Sequence, residues 1–73
     1  MAIKEDVFEA VKSVLKELES DVRFDEDTCL LDIMDSMSVL EVLLELEDKD
    51  YNIKYIVIDK VGTIKNLIDL LEE

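Results

Sequence analysis

Apolar residues recur at helical spacing in three places along the chain. Ile3, Val7, Val11, Val14 and Leu18 fall on one face of a segment running from Ile3 to Leu18, and Phe8 and Leu15 widen that face. Lys4, Glu5, Asp6, Glu9, Lys12, Lys16 and Glu17 fill the rest, so an amphipathic helix with its stripe turned to a core is predicted. A second helix is predicted from Ser36 to about Asp48. Its apolar side is read as Met37, Leu40 and Leu44, with Val39, Leu43 and Leu46 alongside. Its solvent side is read as Glu41, Glu45 and Asp48, with Ser38 and Glu47 near the borders. The last helix starts after Thr63, whose hydroxyl can cap it, and runs to about Leu71 on a stripe of Ile64, Leu67, Ile68 and Leu71. Gly62 ahead of that cap relaxes the turn.

Two stretches lack this period. Glu19 to Met34 reads as a long connection, rich in turn residues at Ser20-Asp21 and Asp25-Glu26-Asp27-Thr28. Val22, Phe24, Leu30 and Leu31 are expected to tether it to the core. In Lys49 to Gly62, Tyr51, Ile53, Tyr55 and Val57 alternate as in a strand, but Ile56 and Ile58 make the stretch apolar on both sides. A lone strand would have no partner in this chain. Helix formers dominate, with one Gly and no Pro. An all-α fold is therefore expected: a small three- to four-helix bundle forming a single domain over residues 1–73.

Charge narrows the function. Twenty Asp and Glu against eight Lys and Arg give a formal net charge of −12. Such a surface repels phosphate backbones, which excludes nucleic acid as a partner, and attracts surfaces that present Lys and Arg. Cys29 is alone, so no intramolecular disulfide can form, and a lone thiol fits a reducing cytoplasm. No apolar run reaches the length of a membrane span and the N-terminus lacks a signal-peptide core, so a cytoplasmic protein, monomeric at this size, is expected.

The chemistry of an autonomous enzyme is missing. No His is present, which removes the usual general base for Ser36 or Cys29. There is no Cys/His set for zinc and no Gly-rich phosphate loop. The acidic connection lacks the central Gly and closing Glu of a calcium loop. Paired carboxylates need a shielded cleft, which so short a chain can scarcely build.

What remains is Asp35-Ser36-Met37 at the start of the second helix. Asp35 suits the N-cap, its carboxylate accepting from a first-turn N–H. Ser36 then sits where free N–H groups and the positive end of the helix dipole favour an added anion. This triplet, mid-chain in a short acidic protein with helical pattern on both sides, resembles the attachment site of acyl and peptidyl carrier proteins. The resemblance spans nearly the whole chain. Ile33-Met34-Asp35-Ser36-Met37 is locally similar to the Leu-Leu-Asp-Ser-Met of D-alanyl carrier proteins. Fatty-acid carriers often have Gly where this chain has Ile33, and a longer loop before the serine, which leaves the cargo open.

The resemblance implies that a phosphopantetheinyl transferase uses coenzyme A to place a phosphopantetheine arm on Ser36. The thiol of that arm would hold an acyl or aminoacyl group as a thioester. Asp35 would position the serine, and Met37 would pack beside the arm or in the core. Glu41, Glu45 and Asp48 would dock on basic patches of acyl- or aminoacyl-loading and acyl-transfer enzymes. It also implies a loop and a short third helix within Lys49–Gly62. From another class, the rival expectation is an acidic helical adaptor that is never modified and binds a basic or apolar partner surface.

Overall fold

The computed structural model describes residues 3–53 and 61–72. Four helices form in chain order: α1 (Ile3–Glu17), α2 (Leu30–Ile33), α3 (Ser36–Asp48) and α4 (Ile64–Glu72). Extended pairing among the described residues is limited to one antiparallel bridge between Cys29 and Thr63. The fold is the small all-α bundle that the apolar spacing predicts. Among the described residues, no helix is long and apolar enough to cross a membrane. The four-residue α2 lies inside the stretch read as connection, because a single turn is too short to show a helical period.

α1 is the central helix and packs against both α3 and α4. Its Glu5 and Asp6 sit at the positive end of the helix dipole and Lys16 at the negative end, which favours the helix. Val7, Val11 and Val14 of α1 join Val39, Val42 and Leu46 of α3 and Ile64 and Leu67 of α4 in one core cluster. α1 and α3 run antiparallel. Ser13 bonds to Glu45, whereas Asp6 receives the Tyr51 hydroxyl and faces Lys49.

Several side chains lie on the opposite side from the one expected. The buried face of α3 is Ser38, Val39, Val42, Leu43 and Leu46, while Met37, Leu40 and Leu44 are exposed. At about 100° per residue these are two different stripes of one largely apolar helix. Leu18 also proves exposed, since α1 has ended before it. Of the four tethering residues, Leu30 is fully buried and Phe24 packs on the core, but Val22 and Leu31 are exposed. Tyr51 and Ile53 belong to no strand. The rest of the alternating stretch, and most of the region where a third helix is implied, fall on 54–60, outside the described residues.

Both long helices end in the same way. After α1, Ser20 N–H donates to Leu15 O at 2.9 Å and Glu19 N–H to Lys16 O at 3.0 Å. After α3, Tyr51 N–H donates to Leu46 O at 3.2 Å and Asp50 N–H to Glu47 O at 2.9 Å. Each pair is a Schellman closure, which requires a left-handed residue. Glu19 (φ 57°) and Asp50 (φ 72°) supply it, although glycine adopts that conformation far more cheaply. The second closure brings Tyr51 into the core, where its hydroxyl donates to Asp6. That bond holds the Asp6 carboxyl below its usual range and pushes the Tyr51 phenol up to about 12.

The long connection is stitched to the start of α4. Thr28 O accepts from Ile64 N–H at 3.0 Å, Glu26 O from Lys65 N–H at 2.9 Å, and Gly62 O from Leu30 N–H at 3.1 Å. Thr63 Oγ1 caps Asn66 N–H at 3.1 Å, as its position ahead of the last helix predicts. First-turn N–H groups of α4 are thus satisfied by the connection, which cannot lift away without exposing them. Gly62 is left-handed (φ 60°), and a Cβ there would come within 2.5 Å of the Asn66 side chain.

The left-handed closures generate a prediction. Glu19→Gly removes the Cβ strain at a site with no other assigned contact, and should stabilise the fold by about 1 kcal/mol. Urea unfolding checks this, with the midpoint moving up and the slope unchanged. A lower midpoint would mean that the Glu19 side chain itself holds the turn.

Candidate functional site

The start of α3 is held from both sides. Met34 is buried immediately before it and Val39 one turn into it. Between them Asp35 is extended, with φ −82° and ψ 175°. Its Oδ1 accepts from Ser38 N–H at 2.9 Å, and its backbone carbonyl accepts from Val39 N–H at 3.0 Å. Asp35 is therefore the N-cap expected from its residue type. Bonds from the Ser38 backbone N–H and hydroxyl, with a smaller part from Met37 N–H, hold its carboxyl below the usual aspartate value of 3.8.

Two serines lie in this turn and they differ in kind. Ser38 is buried under the cap, whereas Ser36 is the first residue of α3 and exposed. Its neighbour Asp35 is committed to the cap and held ionised, and no His is present. Among the described residues, no group of three or more His, Cys, Asp or Glu is placed to hold a metal ion.

The outward face of α3 extends from Ser36. Met37 is 70% exposed, Leu44 48% and Leu40 39%. Glu41, Glu47 and Asp48 are exposed around this apolar strip and make no ion pair among the described residues. Glu47 and Asp48 sit at the negative end of the α3 dipole, where a carboxylate weakens the helix. On α2, which packs against α3, Leu31 adds a further exposed apolar side chain.

Of the residues singled out in the sequence, Asp35, Ser36, Met37, Glu41 and Asp48 share this surface. Glu45 does not. It is half-buried and accepts the Ser13 hydroxyl at 2.9 Å, so it faces α1. Leu40 and Leu44, expected in the core, belong to this surface instead. A signal for them was present in Val39, Val42, Leu43 and Leu46, a second complete apolar stripe that leaves the first one spare.

Two predictions follow from this geometry. Asp35 has a depressed value in the fold, so its charge contributes stability above 3.8 that is lost as the pH falls through the folded value. Asparagine caps about as well as aspartate without the charge. The stability difference between wild type and Asp35→Asn should therefore be present at neutral pH and shrink as the pH falls below 3.8. Denaturant unfolding at each pH measures it, and a constant difference would contradict the assignment. Separately, Glu45→Ala should cost about 1 kcal/mol by leaving Ser13 without its acceptor, whereas Glu41→Ala should change stability by less than about 0.5 kcal/mol. Equal effects in paired melts would show that the two carboxylates are not sorted as described.

Comparison with protein-family models, with curated proteins and with solved structures found no match to this chain.

Proposed function

We propose that this chain is an acyl carrier of the phosphopantetheine-bearing kind. The observation that carries the reading is the exposure of Ser36 as the first residue of an Asp35-capped helix whose outward face keeps Met37, Leu40 and Leu44 exposed. Ser36 Oγ is the attachment atom. The phosphodiester so added would lie at the positive end of the α3 dipole, where an anion is favoured. The arm supplies a thiol that holds the cargo as a thioester. The exposed Met37 offers an apolar surface beside the attachment point, and soft methionine packs adaptably.

No catalysis is asked of the chain itself. A phosphopantetheinyl transferase and coenzyme A supply the arm, and loading and transfer enzymes supply the chemistry. Tethering keeps the cargo at high local concentration for each of them. Docking falls to the outer face of α3: Glu41, Glu47 and Asp48 meet basic patches, and Met37, Leu40 and Leu44 fill apolar hollows between them. Its arrangement supports this reading, because Glu47 and Asp48 are placed against the helix dipole and stability gains nothing from them. The acyl or aminoacyl cargo, the monomeric state and the cytoplasmic setting belong to the same proposal.

The test is transfer of the arm. Wild type and Ser36→Ala are each incubated with coenzyme A, magnesium and broad-specificity phosphopantetheinyl transferases, then weighed intact. Wild type should gain one phosphopantetheinyl mass and the variant none. If wild type gains nothing with any transferase, the unmodified acidic adaptor becomes the better reading. A gain on the variant would move the attachment to another residue.

A further inference from the structure

We propose that the cleft between the C-terminal half of α1 and residues 19–24 binds a small amphipathic organic anion, noncovalently and independently of Ser36. The cleft is an open depression of ≈720 Å³, within the size range of small-molecule sites. Phe8, Leu15, Val22 and Phe24 line it with apolar surface. Phe8 and Phe24 form a tilted ring pair with centroids 5.4 Å apart, so part of the wall is held in place by aromatic packing. Lys12, Lys16 and Arg23 line the same depression.

The charge of the cleft selects the sign of its ligand. Glu19 and Asp21 also reach it, but three cations against two carboxylates leave it positive in a chain that carries −12 overall. None of the three cations makes an ion pair among the described residues, although carboxylates outnumber cations throughout the chain. Lys12 and Lys16 are one turn apart on α1, a spacing at which like charges repel. An anionic head between them relieves that repulsion, while its apolar body covers the Phe8, Val22 and Phe24 surface. Over the rest of the molecule an organic anion meets net negative charge and is turned away.

The cleft is separate from the α3 surface. Ser13, which bonds to α3, lies about 100° round α1 from Lys12 and about 140° from Phe8. No residue of α3 lines the cleft. A ligand there would leave Ser36 and the docking face free, so the inference stands whether or not Ser36 carries an arm.

Amide chemical-shift titration of the unmodified chain with sodium octanoate tests it, alongside octanol and octyltrimethylammonium as the neutral and cationic counterparts. Octanoate at millimolar concentration should move the amides of residues 8–24, more tightly than octanol and less tightly as salt is added. Lys12→Gln combined with Lys16→Gln should weaken octanoate by about tenfold and leave octanol unchanged, as expected for the loss of two charge contacts. No response to octanoate would overturn the proposal, as would equal binding of octanol or an unaffected double variant. Shifts centred on Met37, Leu40 and Leu44 would overturn it too, by assigning the anion to the α3 face.

Discussion

Everything about the candidate site depends on which face of α3 is buried. The helix is apolar on two stripes, and only one can meet α1. Burial of Val39, Val42, Leu43 and Leu46 turns the other stripe outward and carries Ser36, Met37 and Glu41 with it. The choice is enforced at both ends. Asp35 caps the first turn, with buried Met34 and Val39 on either side. Beyond the C-terminus, the left-handed Asp50 turns Tyr51 back into the core and onto Asp6 of α1. Rotating α3 by one residue position would break the Ser13–Glu45 bond and bury a carboxylate.

The chain gives up stability in places that share a pattern. Non-glycine residues occupy both left-handed helix closures, acids crowd the negative end of α3, and large apolar side chains stay in water. The first of these is a plain cost of a sequence with a single glycine. The acids and three of the exposed apolar side chains, Met37, Leu40 and Leu44, coincide on the outward face of α3, next to one exposed serine. A surface kept acidic and apolar together, with no ion pair among the described residues, has the composition of a docking face.

Much of the fold was legible in the sequence. α1 and α4 each carry one dominant stripe, so period alone locates them, and Asp35 and Thr63 announce their caps by residue type. α3 has the bounds its period predicts, but of the apolar side expected for it only Val39, Leu43 and Leu46 are buried, while Met37, Leu40 and Leu44 are exposed. Seven of its thirteen residues are apolar, and a helix with two competing stripes is decided by packing against a neighbour. The same limit explains Glu45, read as solvent-facing on helical spacing though Ser13 holds it against α1. α2 was missed because one turn has no period. The place of Ser36 was legible through its neighbours: Asp35 marks the cap, and the cap sets Ser36 in the first turn. That Ser38 is buried while Ser36 is exposed needed the tertiary structure.

The central claim is that Ser36 is where this protein carries its arm in the cell. Mass mapping of protein recovered from the cells that make it addresses that most directly. Trypsin cuts after Arg23 and Lys49, so one peptide spans Ser36, Ser38 and the rest of α3. The account predicts that this peptide carries a phosphopantetheinyl increment, alone or acylated, and that fragmentation localises it to Ser36. A peptide recovered wholly unmodified, or an increment localised to Ser38, would contradict it.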